Sequence, residues 1–472
     1  MHKTRSPHTP GLRRLCCLAF SGVLLAVVGC TSLPPKTTDV SPDQAGTVNV
    51  SGAAGPVSAA AERKALQGLV NEGKKDLAIH HLKTLTATGD ADLYQGNRTR
   101  LLIDGPATFG AMKAAIAQAR GRVLLQSYIV EDEGVAAEVA ELLLARAAQG
   151  VKVAMIFDAV GSIRTPEAFF KRLVDGGVSV CAFNPINPTQ RPGYWGLTHR
   201  DHRKLLVVDE DVAFTGGINI SRVYGSSSFV RRGEPTGEGA LDDGWRDTQI
   251  ELRGPVVPVI GQVFETTWRE QGCKGELGQA APQKAAAEPG TRVVKVIASD
   301  PRDKENRIYS TLLAAVDAAQ VNVRFTMAYF APGTDFVTAL RKAAERGVEV
   351  EMVLPGRSDS SLAFHAGRSY YDDLLSSGVR IYQMEHALMH AKTAVIDGVF
   401  STVGSSNLDW LSFVANSELN VIVLGDDFGG EMNRLFERDR AASRRVTLEE
   451  WRRRGLNDRA MEALSRLMER ML

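Results

Sequence analysis

Beyond its first thirty residues this 472-residue chain has only two cysteines, Cys181 and Cys273. So small a number excludes a disulfide-built scaffold and a cysteine zinc cluster, and leaves either one bridge or two unpaired thiols. Excess charge of one sign is missing too: 56 Lys and Arg stand against 55 Asp and Glu, for a formal net charge of +1. That balance argues against a large basic surface, and no nucleic-acid partner is expected. Neither a carboxylate cluster nor a Cys/His set with metal-ligand spacing occurs, so no metal and no other cofactor is expected. Finally, the longest N-terminal apolar run, Leu15 to Val28, is too short to span a bilayer comfortably as a permanent helix.

That run comes after Lys3, Arg5, Arg13 and Arg14, the pattern of a signal peptide, expected over residues 1–29. Its end, Val27-Val28-Gly29-Cys30, resembles a bacterial lipobox, whose cysteine sulfur accepts diacylglycerol. The expected product is an exported lipoprotein anchored in a membrane through Cys30. Thr31, rather than aspartate, comes after the cysteine and points to the outer membrane, facing the periplasm, if the cell is Gram-negative. Residues 30–62, rich in Pro, Thr, Ser, Gly and Ala, read as a flexible tether. Residues 63–94 show helical spacing at Leu66, Leu69, Val70, Leu77 and Leu82 and read as an introductory helical segment.

The remainder of the chain carries one pattern twice. Strands are predicted over Thr99–Ile103, Arg122–Ile129 and Lys152–Asp158, with a helix over Gly134–Gln149 between the last two. The same order returns as a strand over Asn322–Ala328, a helix over Asp335–Arg346 and a strand over Val348–Leu354. The fold class is therefore α/β, with repeat 1 over 95–270, a Gly/Ala/Pro-containing linker over 271–291 and repeat 2 over 292–472. Within repeat 1, the polar, Gly-rich stretch Ser221 to Gly244 reads as an exposed loop or lid.

Each repeat carries one chemical motif. Repeat 1 has His202-Arg203-Lys204, Asp209 and then Gly216-Gly217-Ile218-Asn219; repeat 2 has His390-Ala391-Lys392, Asp397 and then Gly404-Ser405-Ser406-Asn407, at identical spacing. On a strand, the His and Lys of HxK point to one face and the middle residue to the other. An imidazole nucleophile and a cation thereby converge. Asn219 and Asn407 come next as amide donors for a phosphate oxygen. Two such half-sites around one tetrahedral phosphate supply two imidazoles, two ammonium groups and two amides, enough for phosphodiester exchange without a metal. The catalytic candidates are His202, Lys204, Asp209, His390, Lys392 and Asp397.

These residues resemble the HKD signature of the phospholipase D superfamily. Within it the chain resembles bacterial cardiolipin synthases, through Ser127-Tyr128, Phe157-Asp158, Trp245-Arg246-Asp247-Thr248, Leu354-Pro355-Gly356-Arg357 and Ser405-Ser406-Asn407-Leu408-Asp409. The resemblance implies a duplicated fold, two α/β repeats with central mixed sheets about a pseudo-two-fold axis. It also implies a covalent phosphohistidine, and transfer of a phosphatidyl group between phospholipid substrates in a membrane. Asp247 and Glu418, each following the histidine of its own repeat, take the places of acids that orient the imidazoles. One departure is Leu411, where relatives often carry an arginine. Three other readings stay open: a hydrolase passing the phosphatidyl group to water, a nuclease, and a non-catalytic lipid-binding envelope lipoprotein. The sequence does not assign an oligomeric state.

Overall fold

A computed structural model describes residues 49–69, 72–88, 92–186, 198–228, 244–278, 290–302 and 306–469. After a short hairpin, β1 (Asn49–Gly52) and β2 (Gly55–Pro56), the first repeat lays down β3 (Asp92–Ile103), β4 (Arg122–Ser127), β5 (Lys152–Asp158) and β6 (Ser179–Phe183). It continues with β7 (Arg200–Asp201), β8 (Leu205–Val208), β9 (Val212–Gly216) and β10 (Thr248–Arg253). The second repeat answers with β11 (Arg292–Ser299), β12 (Asn322–Met327), β13 (Phe330–Ala331), β14 (Glu349–Pro355) and β15 (Arg380–Met384). Then come β16 (Lys392–Ile396), β17 (Phe400–Gly404), β18 (Leu408–Asp409), β19 (Asn416–Leu424) and β20 (Arg444–Val446).

Strand pairing repeats with the sequence. In the first half the order is β6-β5-β4-β8-β9-β10-β3, parallel among β4, β5 and β6 and antiparallel elsewhere. In the second it is β15-β14-β12-β16-β17-β19-β11, with the same senses. β3 and β11 hold equivalent places and pair antiparallel with each other, Arg292 opposite Asn97 and Val294 opposite Tyr94. Two equivalent strands running antiparallel are related by a local two-fold, so the pseudo-dyad passes through this seam and joins both halves into one mixed sheet.

Burial explains why the strands read as apolar runs. β4 is buried along its whole length, as a parallel strand covered on both faces must be. Helices Asp104–Ala117 and Val135–Ala148 cover one face of repeat 1, and Arg307–Ala318 and Gly333–Glu345 the same face of repeat 2. The other face is shared: Leu124, Val207, Ile250 and Phe264 of repeat 1 pack in one core with Val294, Val395, Val421 and Phe428 of repeat 2.

The tether ends sooner than its composition suggests. Asn49–Gly52 pairs parallel with β3, Val50 opposite Leu93, and helix Ala59–Gln67 is capped by Ser58 Oγ on the Ala61 amide at 3.3 Å. A single buried valine among small and polar residues is too short a pattern to register as a strand. The introductory segment also closes early, because β3 begins at Asp92. The signal peptide, Cys30, the start of the tether, linker residues 279–289 and loop residues 229–243 lie outside the described residues. Cys181 and Cys273 form a disulfide with Cα atoms 5.6 Å apart, which closes the alternative that composition left open. Among the described residues no helix is long and apolar enough to cross a membrane.

Candidate active site

The half-sites meet where each repeat hydrogen-bonds to the other. β7 pairs parallel with the start of β19, Arg200 opposite Asn416 and Asp201 opposite Ser417; a matching bridge joins Arg246 to Met389. As a result the His202 amide donates to the Ser417 carbonyl at 2.9 Å, and the His390 amide to the Arg246 carbonyl at 2.8 Å. The next residue in each case is an acid. Glu418 of repeat 2 therefore receives His202 Nδ1 at 2.9 Å, and Asp247 of repeat 1 receives His390 Nδ1 at 2.8 Å. The orienting acids are crossed between the repeats. Both rings are gripped at Nδ1, which leaves Nε2 as the nitrogen for chemistry.

HxK sits at the entry to the ladder: the strand starts just past it, at Leu205, in repeat 1 and with its lysine, Lys392, in repeat 2. Alternation survives, because the segment is extended. Arg203 turns away from the histidine and lysine, donating to Thr267 Oγ1 at 2.9 Å and the Ser299 carbonyl at 2.8 Å. Lys204 folds back on the His202 carbonyl and Lys392 on that of His390, with Lys392 Nζ 2.9 Å from His390 Nδ1. Aromatic rings line the imidazoles: Tyr128 lies edge-on to His202 with ring centres 5.1 Å apart, and Trp245 tilts against His390 at 5.0 Å.

Electrostatics tie the two halves into one site. Burial lowers Lys204 to about 7, with Glu418 opposing and Lys392 reinforcing the shift. Lys392 falls to about 8, again chiefly through burial. Asp247 rises to about 6 because burial outweighs the pull of Lys392. Burial also works to raise Glu418, but His202, Lys204 and the Ser405 hydroxyl outweigh it, and its carboxyl lies below the ordinary value. Both imidazoles are lowered, first by burial; Lys392 then drives His390 well below its ordinary value. Four buried basic groups facing two acids form a site waiting for an anion. A bound phosphodiester would raise both lysines by supplying the missing negative charge.

Asn219 accepts the Ile129 amide on Oδ1 at 3.1 Å and also bonds the Tyr224 hydroxyl. Asn407 is buried, its backbone N–H donating to Ser412 Oγ at 3.2 Å. Asp209 and Asp397, counted among the catalytic candidates from their spacing, stand elsewhere. Each occupies the turn at the far end of the strand, with φ of 51° and 53°. Asp209 accepts the amides of Arg120, Gly121 and Arg122 at 2.7, 2.7 and 2.8 Å. Asp397 binds Val321 and Asn322 amides at 2.7 and 3.0 Å and His81 Nε2 at 2.9 Å. Seven residues at about 3.3 Å each separate them from the histidines along the chain, and they lock loops.

Sequence reasoning missed Tyr224 and Ser405. Tyr224 sits in the stretch read as an exposed loop, yet it is fully buried and its hydroxyl lies 3.0 Å from His390 Nδ1. An aromatic five residues after Asn219 in a polar stretch was the available signal. Ser405 donates to Glu418 Oε2 at 2.5 Å; its counterpart is Gly217, where a Cβ would come within 2.1 Å of Asp247 Oδ1.

A duplicated α/β sheet whose halves each bring a histidine and a lysine to one anion-binding pocket is the architecture of the phospholipase D superfamily. The family model described as "Cardiolipin synthase, PLD-like domain" matches residues 112–228 and 312–440, one stretch in each repeat. Cardiolipin synthase A of Pseudomonas aeruginosa is 33% identical over 375 residues, covering 79% of this chain and 72% of that protein. The cardiolipin synthase of Geobacillus kaustophilus is 30% identical over 377 residues, or 80% and 72% of the two chains. Among solved structures, phosphatidylserine synthase of Haemophilus influenzae shares the fold, with a TM-score of 0.57 at 13% identity over 79% of this chain and 95% of that one. The chain belongs to the phospholipase D superfamily, among its cardiolipin synthase-like phosphatidyltransferases.

Proposed function

We propose that the protein makes cardiolipin from two phosphatidylglycerols through a covalent phosphohistidine. The observation that carries the reading is the crossed pair of imidazoles, each held at Nδ1 by a buried acid from the other repeat. In the first step Nε2 of one histidine attacks phosphorus, the bond to the glycerol headgroup breaks, and the other histidine, protonated, gives its proton to the leaving oxygen. In the second, a hydroxyl of another phosphatidylglycerol gives its proton back to that histidine and attacks phosphorus, breaking the P–N bond. Glycerol and cardiolipin are the products, and the site returns to its starting protonation. Lys204 and Lys392 balance charge on the non-bridging oxygens, and Asn219 and Asn407 bind them.

Relatives named cardiolipin synthases support the choice of acceptor. The protein would act as an exported lipoprotein held through Cys30, at the outer membrane if the cell is Gram-negative; the Cys181–Cys273 disulfide fits an oxidising compartment. Incubating purified protein with phosphatidylglycerol should yield cardiolipin and glycerol in equal amounts. Phosphatidic acid as the sole lipid product would replace the transferase with a hydrolase. Cys30→Ser should abolish incorporation of labelled fatty acid into the protein.

A further inference from the structure

The C-terminal helix Leu456–Leu467 is mounted inside out. Glu462 and Ser465 are its buried residues, whereas Leu456, Met461, Leu464 and Leu467 are 81%, 43%, 53% and 84% exposed. Residues 456, 460, 464 and 467 fall on one stripe of an α-helix, with Met461 beside it. The polar face is what fastens the helix. Glu462 accepts from Arg368 Nε at 3.2 Å and Arg454 Nε at 2.9 Å, and both guanidinium groups lie over the Trp451 ring at 4.8 and 4.3 Å. Just past the helix, Glu469 takes the Tyr370 hydroxyl at 2.5 Å and the Gly333 amide at 2.9 Å.

A buried carboxylate forked between two arginines fixes the rotation of the helix, so the outward apolar stripe is imposed by the fold. Exposed arginines flank it: Arg444 is paired with Glu385 and Glu450, Arg452 with Asp372 and Arg453 with Glu449, and exposed Arg445 and Arg459 add positive charge beyond those pairs. An apolar stripe rimmed by arginines complements an anionic lipid surface. A chain of contacts links the helix to the active site. It rests on helix Ser361–Arg368, whose Gly367 abuts the Phe330 carbonyl. Tyr329, one residue earlier, presents its ring edge-on to His390 with centres 6.3 Å apart.

We propose that Leu456–Leu467 is an interfacial helix that seats the protein on an anionic phospholipid bilayer, its apolar stripe among the acyl chains beside the active site. The inference rests on the lipid reading of that site, and its test separates the two. Leu464→Glu with Leu467→Glu is introduced into the full chain carrying Cys30→Ser, so that no acyl anchor masks the effect. Both leucines are exposed, and an unchanged melting temperature confirms that the fold is kept. Flotation with phosphatidylglycerol vesicles should show a roughly tenfold or larger loss of binding relative to the Cys30→Ser parent. Turnover of a short-chain, monomeric phosphatidylglycerol should be unaffected. Equal flotation of parent and variant overturns the proposal; so does a parent that dimerises through the stripe and floats no better than the variant. Stripe-dependent flotation without any lipid turnover would uphold the helix and remove the enzymatic reading instead.

Discussion

Behind His202 stands Glu418, ionised and tied to Ser405; behind His390 stands Asp247, raised to about 6 and packed against a glycine. The motifs are equally spaced, yet the surroundings are not interchangeable. Repeat 1 is closed by a disulfide between Cys181 and Cys273, while the Asp397 turn of repeat 2 is bolted by His81 from the N-terminal helix Lys75–Ala87. Duplication preserved the positions of the reacting groups and let their supports diverge. In the proposed mechanism the two imidazoles do different jobs in each step, and such divergence would let two copies of one motif hold different protonation states.

The severest way to break the comparison is to remove either ring. His202→Ala and His390→Ala should each lower kcat by about 10³-fold or more, and the double variant should be little worse than either, because the rings act as a unit. A variant with near-normal turnover of phosphatidylglycerol would end the two-histidine mechanism. Next comes exchange of the supports. Gly217→Ser must displace Asp247 and should cost about 10²-fold in kcat; equal tolerance at positions 217 and 405 would show the half-sites to be equivalent after all.

Asp209→Asn and Asp397→Asn should reveal scaffolding instead of chemistry. Each removes charge-assisted bonds to backbone amides, for a loss of roughly 2–4 kcal/mol in denaturant unfolding. His81→Ala should weaken the Asp397 turn by less and leave the Asp209 turn intact. If Asp209→Asn kept full stability but lost turnover, the carboxylate would belong to the chemistry. On pH, kcat/KM should rise as Asp247 ionises through about 6 and fall as Lys204 loses its proton through about 7. The acid works when charged above its pKa and the ammonium below, so the profile is a narrow bell; a flat profile between pH 5 and 9 would contradict it. The gentlest probe is Ser405→Ala, expected to cost a few-fold in kcat by loosening Glu418 alone.

Much of the site is legible in the chain itself. Identical spacing around His202 and His390 placed both half-sites, and parallel β4, β5 and β14 announced themselves by apolar stretches and β12 by alternation. Which acid serves which histidine was hidden, since it depends on β7 meeting β19 and Arg246 meeting Met389 across more than a hundred residues. The fate of Asp209 and Asp397 was hidden for another reason. A spacing is the same whether the acid turns toward the pocket or caps the strand's far end. Tyr224 was masked by its polar neighbours, and β1 by having only Val50 to bury.

The seam between β3 and β11 also protects the site against dilution. Two separate copies sharing such a site would drift apart at low abundance, taking the second imidazole with them. Linked in one polypeptide, the partners meet at an effective concentration of about millimolar, however scarce the protein is. The fusion also frees each half from its twin: a change such as glycine to serine at position 405 alters one imidazole's support and leaves the other untouched, which no symmetric pair of identical chains can achieve.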